Sequence, residues 1–150
     1  VAASGAIAAE AKYELVPDFI KPAEGRQTIG NGHGEIAVDS AGLIYVSVQE
    51  KDAGLQVYDQ TGKFVKEYLS PSGPKSEPYG ITVIDGIVWY NEGNAKPNGL
   101  VRFDPKSESF QSFPIPSGGG VVRNMMPTAD KKGIVMAESA QNKVAIATIQ

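Results

Sequence analysis

The chain has 150 residues, which is enough for one domain with a hydrophobic core, and its hydrophobic and charged fractions are ordinary for a globular protein. A net charge of −3 without a basic block gives no reason to expect nucleic acid as a partner. The absence of cysteine excludes a disulfide framework, thiolate catalysis and cysteine zinc sites. No run of 18 apolar residues occurs, so we expect no membrane span.

Residues 1–11 are rich in alanine and small residues, which fits either a trimmed secretory signal or a tail outside the fold. The first interpretation predicts a periplasmic or secreted protein, and the second leaves a cytoplasmic one open. The next segment, Lys12–Ile20, reads as a single strand. We expect this strand to close a ring by pairing with the edge of the last sheet.

From residue 33 onward, short apolar runs alternate with turns that contain glycine or proline, which is typical of an all-β chain. The turn Asp59–Gly62 is of the hairpin type, because glycine adopts a positive φ at little cost. No segment keeps a 3.6-residue period beyond two turns, so little or no helix is predicted.

The order of strands repeats, which predicts blades over 33–73, 78–116 and 121–150, the last without its outer strand. Corresponding positions are separated by 45, 46 and 43 residues in three pairs: Leu55 with Leu100, Val88 with Ile134, and Gly99 with Asn142. A four-strand unit with a period of about 40–50 residues indicates a β-propeller. Trp89, Met125 and Met126 are then expected in the core between blades.

A propeller usually needs about four to eight blades, and this chain holds about three. A fragment and an open stack of blades are both compatible with that number. We favour a homodimer that completes a six-bladed ring, because closed two-fold oligomers are the most common.

Two stretches resemble known propeller families. The sequence "HGEIAVDSAGLIYVSVQEKDAGLQVYDQTGKFVKEY" resembles an NHL repeat, and "PYGITVIDGIVWYNEGNAKPNGLVRFDPKSESFQSFPIPSGGGVVRNMM" is similar to the virginiamycin B lyase (streptogramin lyase) family. The second resemblance implies a six- or seven-bladed propeller that opens a cyclic depsipeptide by elimination across an ester bond. It also implies a histidine acid or base and a Mg²⁺ ion near the propeller axis.

The resemblance assigns candidate site residues. His33, the only histidine, stands at the start of the first blade and is the catalytic candidate, while Tyr79 and Arg123 stand at the starts of the next two and are candidates for substrate binding. Glu92 matches the family's strand-end glutamate, and Glu138 is its equivalent one blade on. These two carboxylates are the expected Mg²⁺ ligands, because hard cations prefer oxygen.

Each candidate also has a structural interpretation. A single histidine is often a loop residue with local hydrogen bonds, and a glutamate at a strand end often accepts backbone N–H groups. The alternative function is therefore a non-catalytic NHL-type scaffold that binds a small molecule or peptide at the propeller axis.

Overall fold

The computed structural model describes residues 13–49 and 54–150, which form eleven strands and one short 3₁₀ turn, Ser139–Gln141. The strands are β1 Ile36–Val38, β2 Ile44–Ser47, β3 Leu55–Tyr58, β4 Phe64–Tyr68, β5 Pro78–Ile84, β6 Ile87–Glu92, β7 Gly99–Asp104, β8 Ser109–Pro114, β9 Val122–Pro127, β10 Gly133–Glu138 and β11 Lys143–Thr148. No helix in these two ranges is long and apolar enough to cross a membrane. The all-β prediction is confirmed.

The strands form three antiparallel sheets in which chain order equals spatial order. The first sheet is β1–β4, the second is β5–β8, and the third contains β9–β11. The innermost strands β1, β5 and β9 contact one another in sequence. The sheets therefore stand side by side around a common hub, with the second between the other two.

Each junction between sheets is filled by alternate side chains of neighbouring strands, because successive residues of a strand point to opposite faces. Val88 packs in the cluster between the first and second sheets, and Trp89 packs in the cluster between the second and third. Met125 is buried in that second junction, whereas Met126 is 67% exposed. The core prediction was wrong for Met126 because its side chain points to the other face of β9.

Strand pairing tests the repeat directly. Val88 of β6 pairs with Phe103 of β7, and Ile134 of β10 pairs with Ala147 of β11. Val88 and Ile134 therefore occupy equivalent places in their sheets. Gly99 pairs with Glu92, but it is Lys143, not Asn142, that pairs with Glu138. The predicted correspondence of Gly99 with Asn142 was therefore wrong by one residue, because Asn142 ends the 3₁₀ turn in a left-handed conformation.

The predicted turn Asp59–Gly62 is confirmed. The Gly62 N–H donates to the Asp59 carbonyl over 2.9 Å, and Gly62 has a φ of 79°. The Asp59 carboxylate accepts the N–H groups of Thr61 and Lys63. This compact turn fixes the register of the hairpin between β3 and β4.

The predicted closing strand over 12–20 was wrong for the described residues 13–20, which form no strand. A turn at Pro17–Asp18, with Asp18 at a φ of 52°, interrupts the extended chain. Further on, the Lys21 N–H donates to the Gly62 carbonyl over 2.8 Å, and Lys21 forms a parallel bridge with Lys63. The N-terminal segment is therefore held on the first sheet, where Ile20 and Ile29 pack over Tyr58 and its neighbours.

Candidate functional site

Three of the five predicted site residues form a row across the starts of the three sheets. The His33 and Tyr79 rings meet edge to face, with centroids 5.3 Å apart. The Arg123 guanidinium lies over the Tyr79 ring, 5.9 Å from its centroid, which is within the range of a cation–π contact. The structure therefore brings His33, Tyr79 and Arg123 together.

His33 does not occupy the position that Tyr79 and Arg123 share. The N–H of Glu35 donates to Ser47 Oγ, and the N–H of Gly80 donates to Asn91 Oδ1 in the equivalent place. Glu35 thus matches Gly80, and the residue equivalent to Tyr79 is Gly34. The sequence alignment of the three blade starts was therefore wrong by one residue for the first sheet.

Close packing explains the glycine at position 34. A Cβ atom added there would lie 2.0 Å from Ser47 Oγ and 2.6 Å from the Ser47 carbonyl oxygen. The Ser47 hydroxyl also donates to the Tyr79 carbonyl over 2.5 Å, which ties the first sheet to the second. Gly34 allows this contact, and His33 presents its ring to Tyr79 from one residue earlier.

A pocket of about 200 Å³ opens beside the His33–Tyr79 contact. It is bordered by all three sheets or their connections. The lining residues are His33, Gln49, Glu77, Tyr79, Asn91, Gly93 and Gly120–Val122. We refer to it as the face pocket.

Asn91 is the chemically distinctive residue of the face pocket. It is fully buried, and its Oδ1 accepts the Gly80 N–H over 2.7 Å. Its Nδ2 has no hydrogen-bond partner among the described residues. A buried amide donor without an acceptor costs about 1–3 kcal/mol, so an acceptor oxygen in the pocket would remove this penalty. The sequence signal was a polar residue within the otherwise apolar run "IVWYN".

Glu77 forms part of the rim in a conformation that is unusual for its residue type. Its φ is 51°, in the left-handed region, and its carbonyl accepts the Gly93 N–H over 3.0 Å. Such a conformation costs on the order of 1–3 kcal/mol and persists where the surrounding structure imposes it. The hydrogen bond to Gly93 holds Glu77, and with it the carboxylate on the rim, close to Asn91.

Glu92 and Glu138 lie outside the face pocket and hold the connections between sheets. Glu92 is almost fully buried. Its Oε1 accepts hydrogen bonds from the Ser70 hydroxyl over 2.6 Å and from the Ser72 N–H over 2.9 Å. Its Oε2 accepts a hydrogen bond from the Ser72 hydroxyl over 2.5 Å. Glu138 is equally buried, and its Oε1 accepts Ser117 Oγ over 2.7 Å.

The two connections share one design. Gly73 donates its N–H to the carbonyl of Ser70, and Gly118 donates to that of Ile115, both over 2.9 Å with a φ of 85° at the glycine. Each turn carries the sequence Pro-Ser-Gly, and the serine side chain binds the strand-end glutamate of the following sheet. Sequence inspection missed this repeated Pro-Ser-Gly signal. It favours the structural interpretation of both glutamates.

The described residues do not fit the expected magnesium site. Within residues 13–49 and 54–150, no group of three histidine, aspartate or glutamate side chains is placed to hold a metal ion. Both oxygens of Glu92 already accept hydrogen bonds from serine, whereas Mg²⁺ requires oxygen ligands that are free to coordinate it. We therefore derive no chemical step through a metal here.

Glu35 is a further residue that sequence inspection missed. Its Oε2 accepts the Ile81 N–H over 3.1 Å, its Oε1 accepts Asn124 Nδ2 over 2.9 Å, and the Met125 backbone also donates to it. One carboxylate thus joins all three sheets at the hub. Burial raises the pKa of Glu35 above its ordinary value, against the opposing effect of the hydrogen bonds from Ile81 and Met125.

The raised pKa gives a prediction for stability. Because the folded state holds the Glu35 proton more tightly than the unfolded state, its contribution is full below the ordinary glutamate pKa and is lost as pH rises through the folded pKa. We expect the free energy of unfolding of the wild type to fall relative to that of Glu35→Gln as the pH rises above 4.5, the ordinary pKa of glutamate. Urea unfolding of both proteins at several pH values measures this difference. A difference that grows in the opposite direction would contradict the assignment.

Comparison with solved structures identifies the architecture. A structure of streptogramin B lyase superimposes with a TM-score of 0.67 at 18% identity, over 82% of this chain and 39% of that one. The chain has a β-propeller fold. The three sheets are thus propeller blades, as the sequence repeat predicted.

A nidogen/laminin complex also matches the blades, with a TM-score of 0.61 at 14% identity, over 75% of this chain and 43% of that one. The chain therefore spans about two fifths of either matched structure. No protein-family model and no curated protein sequence matches it. At these identities the likeness establishes the fold and leaves the activity to the residues of the site.

Proposed function

We propose that the chain is a ligand-binding propeller module and that the face pocket is its recognition site. The observation that carries the proposal is the buried Asn91 Nδ2 without a partner. A ligand with a carbonyl, carboxylate or hydroxyl oxygen would satisfy this donor. His33, Gln49 and Tyr79 offer further polar groups around the same space, which is smaller than the usual site for a drug-sized ligand and fits a molecule of a few heavy atoms or one residue of a peptide.

Binding without a metal-dependent reaction is supported by the way the carboxylates are used. Glu92 and Glu138 hold inter-blade connections, and Glu35 holds the hub. None of these three lines the face pocket. Glu77 is the carboxylate on the rim, and by itself it offers too few ligands for a hard cation.

A second candidate function is a C–O lyase that acts on a cyclic ester, which the sequence resemblance and the position of His33 favour. In such an elimination a base removes the proton next to a carbonyl, a C=C bond forms, and the ester C–O bond breaks to release a carboxylate. His33 is the basic side chain on the pocket wall, and Asn91 Nδ2 would donate to the carbonyl oxygen as negative charge develops.

Small probes test the binding site directly. We expect acetamide, acetate or glucose to shift the side-chain NH₂ signals of Asn91 in ¹⁵N-correlated NMR spectra, because each probe carries an acceptor oxygen. Asn91→Asp assigns these signals by their loss and keeps an oxygen for the Gly80 N–H. Asn98 serves as an internal control, since its Nδ2 already donates to the carbonyls of Gly93 and Ala95.

Gly93→Ala provides a steric variant of this experiment. The added methyl would lie 3.8 Å from Asn91 Nδ2 and 3.3 Å from the Glu77 carbonyl oxygen. It should weaken probe binding about tenfold or more by occupying the pocket. If none of the three probes moves the Asn91 signals more than those of Asn98, the pocket is not a recognition site.

A streptogramin B depsipeptide distinguishes the two functions. Binding without ring opening, unchanged by Mg²⁺ or EDTA, is the result expected for a recognition module. Ring opening to a linear product of unchanged mass, abolished in His33→Ala, would instead establish the lyase. Liquid chromatography coupled to mass spectrometry separates elimination from hydrolysis, because hydrolysis adds the mass of water.

A further inference from the structure

The rim of the face pocket carries a negative charge without a partner. Glu77 is exposed, and no described cationic side chain forms an ion pair with it. Among the described residues that line the pocket, Glu77 alone carries a formal charge at pH 7, with His33 neutral. The pocket therefore attracts a ligand with a cationic group.

The glycine-rich loop in the pocket wall uses its own amide groups. The Gly118 N–H donates to the Ile115 carbonyl, the Gly119 N–H donates to the Ser117 hydroxyl, and the Gly120 N–H donates to the Gly118 carbonyl. A loop that binds an anion directs such N–H groups at the ligand instead. The loop thus adds nothing that would hold an anion, and the charge of the pocket favours a cation.

A hydrogen-bond donor and an acceptor lie close together beside Gly93. A methyl group placed on Gly93 would lie 3.8 Å from Asn91 Nδ2, the unpaired donor, and 3.3 Å from the Glu77 carbonyl oxygen. This oxygen accepts the Gly93 N–H, and a carbonyl oxygen has a second lone pair. A short ligand with N–H donors at one end and an acceptor oxygen at the other would satisfy both atoms.

The free N-terminus of a peptide has these two groups next to each other. Its α-ammonium has a pKa of about 8, so it is charged at neutral pH and carries three N–H donors. The carbonyl oxygen of the same residue is the neighbouring acceptor. An ammonium group is satisfied by one carboxylate and a carbonyl oxygen, whereas a hard metal cation needs six or more oxygen ligands.

We propose that the face pocket recognises the free N-terminal residue of a peptide, with its ammonium group at Glu77 and its carbonyl oxygen on Asn91 Nδ2. The inference rests on the proposed recognition function of this pocket and narrows it to one ligand class. The pocket has a volume of about 200 Å³, and Gly93 and Gly120 form part of its wall. It therefore fits a first residue with a small side chain, such as glycine or alanine.

The backbone of Glu77 is fixed before a ligand arrives. The Asn94 N–H donates to the Ser76 carbonyl and the Gly93 N–H donates to the Glu77 carbonyl, both over 3.0 Å, while Pro78 is already paired as the first residue of β5. Glu77 is thus held from both sides in a left-handed conformation that glutamate rarely adopts. A site that is ordered in advance loses less entropy on binding.

A peptide is favoured over a free amino acid because a free amino acid brings a second charge. Its carboxylate would lie close to the Glu77 carboxylate, and like charges in proximity weaken binding. No described residue of the pocket lining offers a cation to compensate when His33 is neutral. In a peptide the same carbonyl group belongs to a neutral amide, so this repulsion does not arise.

Two small amides of the same size provide the first test. Glycinamide and propionamide have the same number of heavy atoms and differ by an ammonium in place of a methyl group. We expect both to shift the Asn91 side-chain NH₂ signals at pH 7, with a dissociation constant about fivefold lower for glycinamide, the size expected for an exposed ion pair. Glu77→Gln should remove the difference between the two amides.

Glu108→Gln is the matched control. Glu108 is also an exposed glutamate with a positive φ, 52° against 51° for Glu77, but it pairs with Lys66 and does not line the pocket. This variant should keep the preference for glycinamide. The unchanged NMR signals of residues remote from the substitution report that each variant is folded.

The outcomes separate this inference from the function on which it rests. Equal dissociation constants for the two amides would overturn recognition of an N-terminus and leave a pocket that binds acceptor oxygens. If neither amide shifts the Asn91 signals, both proposals are wrong. Glycine that binds as tightly as glycinamide would identify a free amino acid as the ligand and overturn the choice of a peptide.

A longer ligand tests the peptide directly. Triglycine amide with a free amine should shift the same Asn91 signals and compete with glycinamide. Its N-acetylated form has no ammonium group and should bind at least fivefold more weakly. Equal binding of the free and acetylated peptides would contradict the assignment of Glu77 as the residue that holds the N-terminus.

Discussion

Glu92→Ala is expected to lower the free energy of unfolding by about 3 kcal/mol. The substitution removes the acceptor of three hydrogen bonds, from Ser70 Oγ, Ser72 Oγ and the Ser72 N–H, in a place from which water is excluded. A typical intramolecular hydrogen bond contributes a net of about 1 kcal/mol to stability, so the loss of three accounts for about 3 kcal/mol. Urea unfolding followed by tryptophan fluorescence measures the loss.

Glu138→Ala is the matched comparison, because Glu138 holds the equivalent connection through Ser117. We expect a smaller loss of about 1–2 kcal/mol from one such hydrogen bond. Thermal melting with and without Mg²⁺ separates this structural role from metal binding. If Mg²⁺ raises the melting temperature of the wild type and not that of Glu92→Ala, the interpretation of Glu92 as a structural clamp is wrong.

Phe103→Ala is expected to cost about 3–5 kcal/mol, the usual range for a fully buried phenylalanine. Phe103 stacks on Phe110 at a centroid distance of 4.6 Å and packs against Tyr68 of the preceding blade. Its removal opens a cavity at the centre of the junction between the first and second blades. Chemical unfolding gives the loss.

Phe113→Ala is the control on the neighbouring strand. Phe113 is 45% exposed, so its loss should cost about 1 kcal/mol or less. Equal losses of stability for the two substitutions would contradict the placement of Phe103 inside the core and of Phe113 at its edge.

The repeat was predictable from the sequence because two simple patterns mark its strands and its turns. Alternation of apolar residues marks the strands, and turns such as Asp59–Gly62 punctuate them with glycine. The correspondence of Val88 with Ile134 followed from these patterns and is confirmed by the pairing of each residue. Periodicity thus predicted which residues occupy equivalent strands.

Registers failed where the backbone departs from regular geometry. At the first blade start the sequence places Gly34 opposite Gly80, whereas the structure makes Glu35 the equivalent of Gly80 and needs Gly34 for close packing on Ser47. The 3₁₀ turn before Lys143 shifts a second alignment in the same way. One-residue shifts of this kind do not alter the composition of a motif, so pattern matching does not detect them.

The candidate site was predictable only in part. His33, Tyr79 and Arg123 were recognised because they stand at the starts of blades, and the fold does bring them together. Asn91 was missed, since its importance depends on which of its atoms lack partners, and that is a property of the folded state. Glu92 was recognised as important, but its donors lie about 20 residues earlier in a loop that sequence inspection left unassigned.

The shared Pro-Ser-Gly turn and its glutamate have an evolutionary consequence. The second and third blades each carry the glutamate that binds the linker arriving from the blade before, so both described joints are built from the same two parts. A gene duplication in phase with this unit would lengthen the array by one blade and create no foreign joint. A repeated connection of this kind allows the number of blades to change by recombination while each junction keeps its geometry.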